Sequence, residues 1–230
     1  MTVPAPAARA VDVWAADARE VALSAADLAT LSEAETARAA AFAFGTDRRR
    51  YQAAHVMLRE VLAGYTGAEP AELAFGNDPC PACGRPSGKP VLAGGGPAFS
   101  LAHSGDIIVA AVGGQPVGVD VEQLPSRCLC SLAGEMHASD AAAVAGLAEP
   151  DRHEAIIRWW VRVEAVLKCT GTGIAHGMDH VTVLAGEPAG QSIAEFPAPP
   201  GFLGAVALAG AGTVDVSVRS WARPAGQGGR

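Results

Sequence analysis

Aromatic residues are scarce in this chain: Phe, Trp and Tyr make up 5% of its 230 residues, although half of them are apolar. Small aliphatic side chains, largely Ala and Val, must therefore fill the interior. Lysine is scarcer still, since all 17 basic residues are arginine except Lys89 and Lys168. Positive charge is outweighed overall, and the net charge of −7 argues against a general nucleic-acid or membrane-surface role, because both need a positive field. No run approaches the roughly 20 apolar residues that span a bilayer. Residues 1–10 lack a basic segment ahead of an apolar core, so nothing there resembles an export signal and a cytoplasmic protein is expected. Five cysteines is an odd number, which favours reduced thiols over a disulfide framework.

The length suits one large domain or two of about 100 residues each. Ser32 with Glu35 three residues later is a capping-box pattern, and predicts a helix over 33–42 that Gly45 ends. Asp47 is expected to cap a second helix, in which Tyr51, Ala54, His55, Leu58, Val61 and Leu62 share a face and Gly64 is the stop. Residues 77–97, rich in Gly and Pro, read as loop. Three strands are expected at 98–102, 107–112 and 117–122, forming a small antiparallel sheet. Residues 132–148 read as helix, and Pro150 with Asp151 opens a longer one reaching about Cys169. Strands at 181–184, 203–208 and 214–219 follow, with a frayed tail from Arg223. Helix, loop and three strands thus recur, and a weak internal similarity aligns Arg50-Tyr51, Leu58-Arg59 and Gly64 with Trp159-Trp160, Leu167-Lys168 and Gly173. The expectation is an α+β fold of two similar halves, residues 1–115 and 116–230, each a helix with a three-stranded antiparallel sheet, arranged as a pseudo-dimer.

Asp120 and Glu122 stand two apart on an expected strand, so both carboxylates should leave the same face. Trp160, Glu164 and Lys168 are spaced by four on the long helix and share one stripe. Taken singly, the first pair reads rather as a solvated strand end, and the second as an ordinary helix ion pair. Glu164, however, sits among Trp159, Val161, Val163, Val166 and Leu167, where a carboxylate is partly buried and needs a partner. Three converging carboxylates suit a hard cation such as Mg²⁺, which prefers a few carboxylates plus phosphate oxygens.

The segment Val117-Gly-Val-Asp120-Val-Glu122, followed by Trp160-Val-Arg-Val-Glu164-Ala-Val-Leu-Lys168 and Gly171-Thr-Gly173, resembles the paired signature of 4′-phosphopantetheinyl transferases of the surfactin-synthetase-activating type. Gly88-Lys89-Pro90 leading into Phe99-Ser-Leu-Ala-His103-Ser104, and the Arg-rich stretch 47–59, agree with it, so the likeness covers roughly residues 30–175. The resemblance implies Mg²⁺-dependent transfer of phosphopantetheine from coenzyme A to a serine of an acyl, peptidyl or aryl carrier protein, by a monomer of this fold. It implies Asp120, Glu122 and Glu164 as metal ligands, with Glu164 also accepting the serine proton and Lys168 stabilising the departing diphosphate. Arg50, Lys89, His103 and, less closely matched, Arg38 correspond to positions that hold the nucleotide end of coenzyme A. Residue by residue, a lone histidine such as His103 on an apolar strand is more often a hydrogen-bonded core residue, and Arg48 to Arg50 read as a solvated helix start; the flanking Ser104 and the family pattern point to phosphate binding.

The chain departs from the family at Val163, where a lysine is common, at Val161, where a small hydroxyl residue is, and at Ser87, where a histidine is frequent. Arg162 is a candidate to replace the missing charge. These departures keep open a coenzyme A or carrier-protein binding module with weak or no transfer; a magnesium phosphohydrolase of nucleotides is a third reading. Cys80 and Cys83 have zinc-knuckle spacing, but Cys128 and Cys130 lack the matching spacing, and a plain loop is the expectation.

Overall fold

A computed structural model describes residues 3–86, 88–124, 130–149, 151–174 and 177–223. The chain opens with a strand, β1 (Ala10–Asp17), and a single capped turn, α1 (Ala25–Leu28). The capping box then forms as the sequence predicts. The Ser32 hydroxyl accepts the Glu35 N–H, the Glu35 carboxylate accepts the Ser32 N–H, and α2 runs Glu33–Ala40. Gly45 does not end a helix but starts one: α3 runs Gly45–Thr66, with Phe44 at its N-cap and Asp47 inside its first turn. It continues past Gly64, and Gly67 closes it in the left-handed region at φ 75°, where glycine carries no Cβ penalty.

A short hairpin follows, β2 (Phe75–Asn77) with β3 (Pro90–Leu92), around a Gly/Pro-rich loop. Then come β4 (Ala98–Ser104), β5 (Ile107–Gly113) and β6 (Val117–Gln123), on the segments expected. They do not form one sheet. β4 and β5 pair with each other, whereas β6 pairs with β8 in a separate three-stranded sheet of order β6-β8-β7, formed with β7 (Gln191–Phe196) and β8 (Phe202–Ala209). The first sheet has the order β4-β5-β1-β9, and β9 (Asp215–Ser220) crosses back from the far end of the chain to lie parallel to β1. Arg223 does not fray: its guanidinium reaches Asp27 at 2.6 Å and also Glu60. The rest of the expected tail, 224–230, lies outside the described residues, as do Pro150 and Ser87.

The stretch 132–148 breaks into a 3₁₀ turn, Cys130–Glu135, and a helix, α4 (Ala138–Ala145), capped by His137. The long helix α5 spans Asp151–Thr170. Residues 181–184 are not a strand. Val181 and Val183 are buried, so their alternation reflects packing, while the N–H groups of Val183, Leu184 and Ala185 donate to the Asp140 carboxylate instead of to a neighbouring strand.

Burial orders these elements into layers. One apolar cluster joins α3 to one face of the first sheet through Met57, Leu62, Ile108 and Ala110. A second lies between the sheets, where Val109 and Val13 meet Val119 and Val206. A third joins the other face of the second sheet to α5 through Trp159, Ala165 and Ala207. Alternation along β6 therefore turns Val119 and Val121 toward the sheet interface and sends Gly118 and Asp120 toward α5. Gly118 permits close approach there, since a Cβ would lie 1.9 Å from the Ala165 carbonyl oxygen.

Candidate active site

That close approach brings Asp120 against α5. Its Oδ1 accepts a hydrogen bond from Lys168 Nζ at 2.6 Å, and it is 4% exposed. Oδ2 is buried with no partner at all. Burial pushes the carboxyl up to about 7; Lys168 opposes the rise, and Glu122 and Glu164 add to it. Glu164, one turn before Lys168, is also buried, and its carboxyl is raised by burial, against the pull of Lys168, with a further push from Glu122. The three acids thus stand within electrostatic reach of one another.

Glu122 is held differently. Its Oε2 accepts from the Ser104 hydroxyl at 2.7 Å and its Oε1 from the Trp160 indole N–H at 3.1 Å. With Lys168 on Asp120 and Glu122 turned to Ser104 and Trp160, no group of three or more His, Cys, Asp or Glu among the described residues stands ready to hold a metal ion. The donor set nevertheless fits one. An orphaned buried carboxylate oxygen on Asp120, whose carboxyl burial and the nearby Glu122 and Glu164 push upward, calls for a cation.

Two cavities adjoin these groups. The larger, about 810 Å³, is lined from one side by Lys89, Phe75, Phe99, Ser100 and the Glu35, His55 and Arg59 cluster, and from the other by Glu164, Leu167, Lys168 and residues 171–174. The Lys89 ammonium donates to the Val117 carbonyl, and burial lowers it to about 8, partly offset by Cys169 and Asp78. Gly171, at φ 80°, ends α5 close to the Lys89 backbone. The smaller cavity, about 340 Å³, is lined by Phe42, Asp47, Arg50, Tyr51, His103, Ser104, Gly105 and Glu122. Arg50 pairs there with Asp106 at 2.7 Å and Asp47 at 3.1 Å. His103 is held below its ordinary value by partial desolvation and by the Lys168 and Arg50 charges. Arg38 lines neither cavity; it lies exposed on α2 with its guanidinium 5.6 Å from the Phe42 ring.

Three further residues shape the site: Ser104, Trp160 and Glu35. Ser104 and Trp160 position Glu122, and Trp160 belongs to the i, i+4 stripe with Glu164 and Lys168 that hinted at it. Glu35 accepts from His55 at 3.1 Å and from the buried Arg59 at 2.8 Å, so a capping residue doubles as cavity wall. The spacing of His55 and Arg59 by one helical turn was the only available signal. Val161 and Val163 are fully buried, and Arg162 does not replace a charge in the site, because it binds Glu195 at 2.6 Å and the Val183 carbonyl at 2.8 Å. Cys80 and Cys83 lie in the β2–β3 loop, and Cys128 falls outside the described residues. No helix among the described residues is long and apolar enough to cross a membrane.

Residues 116–203, the stretch that holds β6 and α5, match the family described as the 4′-phosphopantetheinyl transferase superfamily. The chain is similar to the 4′-phosphopantetheinyl transferase HetI of Nostoc, with 36% identity over 154 residues, covering 64% of this chain and 62% of that protein. It is also similar to the 4′-phosphopantetheinyl transferase psf-1 of Bacillus pumilus, with 31% identity over 165 residues, covering 70% and 66%. The chain thus spans just under two thirds of the length of these curated relatives.

Proposed function

We propose that this protein transfers the 4′-phosphopantetheine arm of coenzyme A to a serine hydroxyl of an acyl, peptidyl or aryl carrier protein, releasing adenosine 3′,5′-bisphosphate. The observation that carries the reading is the buried, half-unpartnered Asp120 carboxylate facing Glu122, Glu164 and Lys168 beside a cavity of about 810 Å³. The names of the relatives support the same activity.

In this reading Asp120, Glu122 and Glu164 hold Mg²⁺, which when bound neutralises charge on the phosphate under attack. The serine oxygen forms a bond to the pantetheine-side phosphorus, the bond from that phosphorus to the oxygen of the bisphosphate breaks, and the serine proton passes to Glu164. A carboxyl raised by burial is a better base near neutral pH than an exposed one. Lys168 offsets charge on the leaving bisphosphate. Lys89, Arg50 and His103, which line the two cavities, bind the nucleotide end. Positioning and charge neutralisation supply most of the rate, as in other phosphoryl transfers.

A second reading, a binding module for coenzyme A or the carrier with little transfer, is favoured by one observation. Val163 is fully buried at the position where the family it resembles commonly has a lysine, and Arg162 is engaged elsewhere. Incubation with coenzyme A, Mg²⁺ and a panel of apo carriers, read by intact mass, separates the readings. The expected result is a gain of one phosphopantetheine that a chelator abolishes. Coenzyme A binding without mass gain on any carrier overturns the transferase, and bisphosphate release without a carrier points to a phosphohydrolase.

A further inference from the structure

We propose that the corner between α2 and α3 is the surface on which the carrier domain docks through an acidic face of its own, with Phe44 as apolar anchor and Arg48 and Arg49 as charged rim. The proposal rests on the transferase reading. Phe44 is 71% exposed, the most exposed large apolar side chain among the described residues. It occupies the N-cap of α3 and makes no side-chain capping bond, so neither a core nor a helix end accounts for its ring. One exposed apolar residue is unremarkable by itself; its surroundings set it apart.

Among the described arginines and lysines, only Arg9, Arg38, Arg48, Arg49, Arg85 and Lys89 have no carboxylate at ion-pair distance. Arg9 is engaged by backbone carbonyls of 209–213 and Lys89 by that of Val117. Half of the six fall between positions 38 and 49. The patch is continuous: Arg38 lies over the Phe42 ring, and Arg48 donates from its side chain to the Phe42 carbonyl at 3.4 Å and from its backbone to that of Phe44 at 3.1 Å. In a chain of net charge −7 the overall field repels an acidic partner, so among the described residues the unmatched cations supply its local attraction. An aromatic anchor rimmed by arginine is also the composition that concentrates binding energy at interfaces.

Position supplies the functional link. Phe42, beside the patch, lines the smaller cavity whose other residues include His103, Ser104 and Glu122. A carrier seated on Phe44 and Arg48 therefore stands beside Glu122, at the edge of the acid cluster.

The test compares steady-state kinetics of the full chain and of Phe44→Ser, Arg49→Glu and the double charge reversal Arg48→Glu/Arg49→Glu, using one apo carrier that the unaltered protein modifies. The expected result is a carrier KM raised tenfold or more in the double reversal, with coenzyme A affinity by calorimetry within twofold and a flatter salt dependence of kcat/KM. Reversing acidic residues of the carrier to lysine should restore activity to the double reversal. An unchanged carrier KM, or loss of coenzyme A binding along with it, overturns the docking surface. Absence of transfer by the unaltered protein to every carrier instead overturns the transferase reading on which it stands. The intact calorimetric signal also establishes that each variant is folded.

Discussion

The two long helices carry buried charge in opposite ways. On α3, Arg59 is 2% exposed and every strong group around it is matched: Glu35 on one side, the carbonyls of Pro70 and Leu73 on the other, with His55 and Ser32 completing the Glu35 carboxylate. Although burial pushes the Glu35 carboxyl upward, its bonds from His55, Arg59 and Ser32 prevail and hold it at about 2. Against α5, Asp120 has one partner and one orphaned oxygen, and is driven the other way, to about 7. Matched buried charge is architecture, pinning α2 and the residue 70–73 segment to α3. Unmatched buried charge is free energy held against folding, and persists where a ligand completes it.

The sharpest way to break this contrast is Asp120→Asn. Transfer should fall about a thousandfold, while the melting temperature stays constant or rises, because a penalised charge is removed. A variant that melts early and keeps its activity would make Asp120 a structural residue like Glu35. The mirror experiment is Glu35→Gln, which leaves Arg59 buried without its carboxylate. That should cost about 3 kcal/mol and, for a chain of this size, lower the melting temperature by roughly 6–12 °C.

The pH dependence follows from the same pair. Glu35 titrates near 4.5 in an unfolded chain and at about 2 here, so its contribution is fully present above pH 4.5 and is lost as pH falls through 2. About 3 kcal/mol is at stake, at roughly 1.4 kcal/mol per pKa unit. Acid unfolding curves of the parent should show this loss and those of Glu35→Gln should lack it. The smallest effect is expected at Arg162→Ala. It breaks a half-exposed pair with Glu195 worth about 1 kcal/mol or less and should leave kcat/KM within twofold. A tenfold loss of activity there would mean that Arg162 does act in the site.

Period and capping carried far in the sequence. The period of two in β6 put Asp120 and Glu122 on one face, the period of four in α5 aligned Trp160, Glu164 and Lys168, and Ser32 with Glu35 marked a real helix start. Errors arose where a local signal had two meanings. Gly45 can begin a helix as well as end one, and alternating Val181 and Val183 can be buried without a partner strand. β1, with its Val11 and Val13 alternation, and β7 passed unread because short alternating runs are weak signals on their own.

What the sequence determined by itself was a set of local facts: which carboxylates share a strand face, which side chains share a helix stripe, and that the chain mixes helices with small sheets. Only the tertiary structure decided that β6 leaves β5 for β8, that β9 returns to β1, and that Lys168 meets Asp120. The reason is physical. Periodicity acts within about one helical turn or two strand positions, whereas strand order and the meeting of residues 48 positions apart depend on which faces must be buried together and on a glycine, Gly118, that lets α5 come close enough to complete the site.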